Sequence, residues 1–325
     1  MLRFFTPLAP LILTLTAMAA DERPYINDKK APEDAKDLQF IQSALQKALP
    51  KSRAATVCIE VGEGTGTGVI VSPDGLILTA AHVSTGVRKR LTVVMEDGTK
   101  HKAESLGLVA DTDAAMVRIT DPGTWPFVEI DRASTTRLGD WVFSLGHSGG
   151  FDKDRGSVVR LGRIVRMANS TWQSDCMLIG GDSGGPLFDL TGKLIGIHSR
   201  VGQQLAVNMH VPMSEYVKHW DAMMKSEFIG EGPFAQKPEK GTGFLGLATE
   251  AAEGGLRVTK VGAKTPAERA GVKEGDIILR FNGKAFAKRE EMQEHLKEMA
   301  AGDEVKLDIR RDGKEQTITL ELGER

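Results

Sequence analysis

Between Ala54 and Arg200 the chain repeats one pattern: a short apolar run, soon broken by a turn signal. The runs are Ala55–Val61, Thr67–Val71, Leu76–Thr79, Leu91–Met95, Ala114–Ile119, Trp141–Ser144, Val158–Val165, Leu187–Phe188 and Leu194–His198. Between them stand Ser72-Pro73-Asp74-Gly75, Glu96-Asp97-Gly98, Asp121-Pro122-Gly123 and Leu190-Thr191-Gly192. Runs this short, rich in β-branched residues and punctuated by Pro, Asp and Gly, are strands joined by tight turns. Many of them in succession, with no helical pattern between, predict an all-β barrel or sandwich and not alternating βα units. Few aromatics (6%) and 36 glycines point the same way.

The flanks divide the rest. Arg3, the apolar run Leu8–Thr16 and the Ala-x-Ala site within Ala17–Ala20 read as an export signal over residues 1–20, too short for a membrane span. The mature chain is then expected to begin near Ala20 or Asp21, in a periplasmic or extracellular space. Residues 21–50 read as a polar extended arm and a short helix, in which Leu38, Ile41, Leu45 and Leu49 recur at helical spacing and Pro50 ends the pattern. The β-rich domain spans 51–229, and Ser214 is expected to cap a closing helix that runs to about Glu227. Residues 230–241, with prolines, glycines and charge, read as a linker. Residues 242–325 form a second, compact α/β module, with strands at Leu256–Lys260, Asp276–Phe281, Glu304–Arg310 and Thr317–Leu322 and helices at Pro266–Ala270 and Lys288–Ala300. The formal net charge of −2, with both signs scattered, gives no reason to expect nucleic acid as a partner. Cys58 and Cys176 lie in apolar stretches and read as core residues, with a single bridge between them as the other reading.

Chemistry concentrates at Gly180-Gly181-Asp182-Ser183-Gly184-Gly185. Glycines on both sides of one serine make a turn where backbone N–H groups converge beside an exposed hydroxyl, as acyl transfer requires. A base and an orienting carboxylate are needed as well. His82 follows the apolar Leu78-Thr79-Ala80-Ala81, and Asp113 stands directly before Ala114–Ile119, with Asp111 in the preceding loop. The order His82, Asp113, Ser183 is that of the chymotrypsin-like proteases and not of subtilisins or α/β-hydrolases. In that arrangement Ser183 attacks, His82 moves the proton, Asp113 holds the imidazole, and the N–H groups of Gly181 and Ser183 form the oxyanion hole. No metal-binding His-Glu-x-x-His string or phosphate loop occurs, and no cofactor is expected.

Several strings resemble one family. Gly66–Val71 with Asp74–Thr79 and His82-Val83, Leu138–Gly146, Ser174-Asp175 and the Ser183 turn are similar to the HtrA/Deg family of trypsin-like serine proteases. The fold this implies is a chymotrypsin-like double β-barrel. Ala80-Ala81 before His82 and Asp182 before Ser183 are closer to digestive trypsins, yet Val83 replaces their disulfide cysteine. Gly180-Gly181 precedes the nucleophile where the family often has proline, which predicts a looser oxyanion loop. The resemblance places Met177, Leu178, Ser199, Arg200 and Asn208 around the primary substrate pocket. With no carboxylate among them, small or medium aliphatic side chains are expected before the scissile bond. Gly243-Phe244-Leu245-Gly246, with Ala263–Val272 and Glu274–Gly283, resembles a PDZ domain, a fold that adds a peptide C-terminus as a strand. Met292 and Leu296 either line that groove or pack in the module's own core.

The resemblance implies an exported endopeptidase that cleaves unfolded or damaged envelope proteins, binds exposed peptide C-termini and assembles as a trimer. Two other readings are a catalytically silent binding or chaperone-like protein on the same scaffold and a narrow regulatory protease.

Overall fold

The computed structural model describes residues 23–202, 207–237 and 239–324. The export signal expected over residues 1–20 lies outside them. Two barrels stand side by side. The first is formed by β1 (Thr56–Val61), β2 (Gly64–Ile70), β3 (Leu76–Ala80), β4 (Arg90–Val94), β5 (Lys100–Val109) and β6 (Ala114–Ile119). Its order is β5-β4-β1-β2-β3-β6, closed by antiparallel pairing of β5 with β6. The second is a closed barrel of β7 (Trp141–Gly146), β8 (Val158–Met167), β9 (Trp172–Ser174), β10 (Pro186–Asp189), β11 (Leu194–Val201) and β12 (Asn208–Pro212). One large apolar core joins Val57, Ile77 and Met116 of the first barrel to Phe143, Phe188 and Ile197 of the second. Among the described residues the closure of both barrels leaves no long unpaired strand edge in them.

Several elements differ from the sequence reading. Helix α1 runs Ala35–Ala55 and passes through Pro50. Burial of Ser52 and Ala55 against the barrel outweighs the hydrogen bond that proline removes. Leu38, placed on the apolar stripe, is 59% exposed, while Ile41 is buried. A short helix, α2 (Ala81–Ser84), follows β3, and the closing helix is two short pieces: α3 (Met213–Lys218) and α4 (Trp220–Met224) follow Pro212, and Ser214 is not the cap. Strands β5, β9 and β12 lack a clean apolar run and owe their strand state to barrel pairing.

The polar arm is anchored. Tyr25–Asp28 forms one 3₁₀ turn, Ile26 is buried beside Ile41 and Leu190, and Arg23 pairs with Asp140. After α4, β13 (Phe228–Ile229) pairs in parallel with β5, so the chain re-enters the first barrel before it leaves. Cys58 on β1 and Cys176 in the core of the second barrel are both free and buried, and burial pushes each thiol up to about 11. Neither bridging nor thiolate chemistry at neutral pH fits that state.

The C-terminal module carries a five-stranded antiparallel sheet, β15 (Leu247–Ala252), β16 (Gly255–Val261), β17 (Ile277–Phe281), β18 (Glu304–Arg311) and β19 (Lys314–Glu321). A short pair, β14 (Gly243–Phe244) with β20 (Gly323–Glu324), closes its ends. Helices α5 (Pro266–Arg269) and α6 (Arg289–Lys297) cover a core of Leu256, Phe281, Val305 and Leu307.

Candidate active site

The cleft between the barrels collects His82, Asp113 and Ser183. His82 sits in α2, the short turn that caps β3, and its Nδ1 lies 2.9 and 3.0 Å from the two Asp113 carboxylate oxygens. Asp113 is fully buried and adopts φ +65 at the turn into β6. It accepts also from the His82 backbone N–H at 3.1 Å and from the Ser199 hydroxyl at 2.6 Å. A carboxylate can only accept, so the proton of the imidazole stays on Nδ1 and Nε2 is left as the base. Asp111, the other carboxylate of this loop, is exposed and accepts from the Glu231 N–H at 3.2 Å. The Ser183 hydroxyl donates to the Ser199 carbonyl at 3.4 Å. His82 and Ser183 line one small pocket, and a hydrogen bond between a serine and its base commonly tightens only with substrate present.

The Ser183 turn is held from both barrels. Thr67 of β2 donates its N–H to the Ser183 carbonyl at 2.8 Å and its hydroxyl to the Gly181 carbonyl at 2.7 Å. Gly181 has φ +93, and a Cβ there would meet the Gly149 nitrogen at 2.7 Å and the His147 carbonyl. Gly184, at φ +81, packs against the Thr67 carbonyl and the Thr79 hydroxyl with no room for a side chain. By contrast a Cβ at Gly180 would meet nothing within 4 Å. The Gly180 carbonyl accepts from the Gly149 N–H at 2.7 Å, and a trans peptide then points the Gly181 N–H the opposite way. Among the described residues the N–H groups of Gly181 and Ser183 have no acceptor.

Beneath the turn lies a charge that sequence reading did not pair. Asp182, fully buried, accepts from the Ile179 N–H at 2.9 Å and the Ser148 hydroxyl at 2.6 Å, and forms an ion pair with Arg160 of β8 at 3.0 Å. Arg160 donates also to the Ser148 hydroxyl at 2.8 Å. The only signal in the sequence is that a carboxylate buried beside Ser183 needs a cation; which of many arginines supplies it depends on the barrel. A second buried polar chain runs nearby: Ser174 Oγ to His210 Nε2 at 2.7 Å, and His210 Nδ1 to His198 Nδ1 at 3.0 Å. Burial holds His198 down to about 3 and His210 well below its ordinary value, so both rings are neutral.

The residues expected around the substrate pocket divide. Met177 is half exposed and Arg200 is exposed, with its guanidinium 4.9 Å from the Phe234 ring centre. Leu178 is buried, and its N–H donates to the Asn208 side chain at 2.8 Å, so Asn208 pins the backbone of this wall. Ser199 is buried with its hydroxyl donating to Asp113, a contact that its position did not announce. In the C-terminal module Gly243 and Phe244 pair with β20, Leu245 is buried, and Gly246 takes φ +82 against Thr265. Met292 is buried in the module core and Leu296 packs against it, which favours the packing reading for both.

These features define a trypsin-like peptidase domain followed by a PDZ domain. The corresponding family models match residues 66–197 and 243–322. The chain is HtrA/Deg-like, as its relatives show. A periplasmic serine endoprotease described as DegP-like from Rickettsia prowazekii is 26% identical over 97% of this chain and 64% of its own length. A protein of the same description from a Marinomonas species is 31% identical over 79% of this chain and 56% of its own. The chain thus spans less than two thirds of the length of these curated relatives. The crystal structure of a serine endoprotease from Yersinia pestis superposes with a TM-score of 0.50 at 25% identity, covering 88% of this chain and 98% of that one.

Proposed function

We propose that the chain is a serine endopeptidase whose triad is His82, Asp113 and Ser183. One observation carries the reading: an imidazole whose Nδ1 is held by a buried carboxylate lines the same small pocket as a serine whose turn, among the described residues, leaves two backbone N–H groups without acceptors. Ser183 Oγ attacks the scissile carbonyl as its proton passes to His82 Nε2. The oxyanion takes the N–H groups of Gly181 and Ser183, each donor being worth about 3–4 kcal/mol of barrier. His82 then protonates the leaving amine, and Asp113 stabilises the imidazolium without taking the proton. Water, activated by the same histidine, releases the acyl group. By likeness to the DegP-like relatives the substrates are unfolded or damaged proteins of the periplasm, the PDZ domain takes peptide C-termini through Gly243–Gly246, and the assembly is a trimer. Pocket residues Met177 and Leu178 favour an aliphatic side chain before the scissile bond.

A fluorophosphonate probe is expected to label the full chain, and Ser183→Ala is expected to abolish both labelling and casein degradation. Labelling that survives Ser183→Ala refutes the assignment. Absence of labelling with and without a PDZ-binding peptide favours the silent binding protein, and labelling without casein degradation favours the narrow regulatory protease.

A further inference from the structure

The segment that leads away from the peptidase domain does not hang free. Gly230 and Gly232 lie so close to Asp111 that neither has room for a side chain, the latter's Cβ falling 2.5 Å from the Asp111 Cα. The Phe234 N–H donates to the Ala110 carbonyl at 3.3 Å, and its ring packs in a small cluster with Ala81, Leu108 and Ala110. Phe234 therefore rests on the residue before His82 and on the loop that carries Asp113. Its outer face carries the Arg200 guanidinium at 4.9 Å.

Arg200 directly follows Ser199, whose carbonyl accepts from Ser183 and whose hydroxyl donates to Asp113. The arginine is exposed, and among the described residues no carboxylate or carbonyl accepts from its guanidinium. Stacking on an aromatic face holds the plane of a guanidinium and leaves its edge, with the N–H donors, turned outward. A planar edge of that kind is the partner for a carboxylate.

We propose that Arg200, seated on Phe234, is a specificity residue that reads an acidic side chain of the peptide substrate near the scissile bond. This rests on the peptidase reading and adds a substrate class to it: peptides that combine an aliphatic residue at the cleaved bond with an aspartate or glutamate nearby. Phe234 acts as a positioning residue, since it fixes the guanidinium without touching substrate. It also makes the first part of the interdomain segment a wall of the cleft.

The test uses the full chain and a set of fluorogenic peptides in which each position around the bond carries Glu, Gln or Lys in turn. At one position Glu is expected to exceed Gln by about tenfold in kcat/KM, mostly through KM, as suits a charge-assisted pair. Arg200→Gln is expected to remove that ratio and Arg200→Glu to invert it in favour of Lys. Phe234→Leu, which keeps the apolar seat but loses the ring, is expected to lower the Glu/Gln ratio about two- to threefold. Wild-type protein that cleaves the Gln peptides but separates Glu from Gln nowhere overturns the proposal and leaves the peptidase standing. A ratio unchanged by Arg200→Glu overturns it equally. If no peptide is cleaved and Ser183 takes no fluorophosphonate, the peptidase reading and this proposal fall together.

Discussion

The ion pair under the Ser183 turn invites a quantitative test, the substitution Arg160→Leu. Asp182 is fully buried and Arg160 largely so, with side-chain exposures of 0% and 16%. Removal of one partner from a buried pair costs about 3–5 kcal/mol, because the remaining charge is left without compensation. Asp182 keeps the Ser148 hydroxyl and the Ile179 N–H, which places the loss near the lower end, about 3 kcal/mol. Asp182 is a neighbour of Ser183 and of Gly181, so the cheapest relief is a shift of the turn and not unfolding of a barrel. A loss of about 3 kcal/mol taken there lowers kcat by about a hundredfold. The assay compares kcat and KM on a neutral peptide with the urea unfolding midpoint. Arg160→Leu is expected to lose mainly kcat, and the double variant Arg160→Leu/Asp182→Asn to recover most of it, since no buried charge then lacks a partner. Wild-type kcat and stability in the single variant refute the argument, as does a double variant no better than the single one.

Two further outcomes follow from the same site. Gly181→Ala forces a methyl toward the Gly149 nitrogen at φ +93 and is expected to cut kcat at least about tenfold, while Gly180→Ala, with open space around it, loses much less; equal losses refute the packing argument. The neutral pair His198 and His210 links stability to pH. Both are held below the ordinary 6.5 by burial, so below that pH the unfolded chain binds protons that the folded chain does not. Stability is therefore expected to fall as pH drops from 6.5, by up to about 1.4 kcal/mol per pH unit for each histidine. Urea midpoints that stay level between about pH 6.5 and 5 refute it.

Much of this protein is written in local sequence. The strand runs, the turn glycines and the order His82, Asp113, Ser183 are all short-range patterns, because a turn residue or an alternating run carries its constraint within a few positions. Where a local signal was weak, tertiary contact decided. Helix α1 passed through Pro50 because the barrel buries its last turn, and β5 and β12 became strands because their neighbours in the barrel needed partners. The residues read as a linker, which directly follow β13, begin as the seat under Arg200, since Gly230 and Gly232 can approach Asp111.

The glycines before Ser183 show the division most clearly. Their sequence determined that a tight, side-chain-free turn would present a serine, and nothing more about its shape. The fold assigned them unlike tasks: Gly181 is locked between Thr67 and the 147–150 loop, while Gly180 has space. Ser199 likewise read as a pocket residue and became a donor to Asp113, and Arg160, which no sequence motif singles out, became the counterion of Asp182. Those pairings join residues of different strands, and only the closure of the barrels sets which side chains of distant strands meet in its interior.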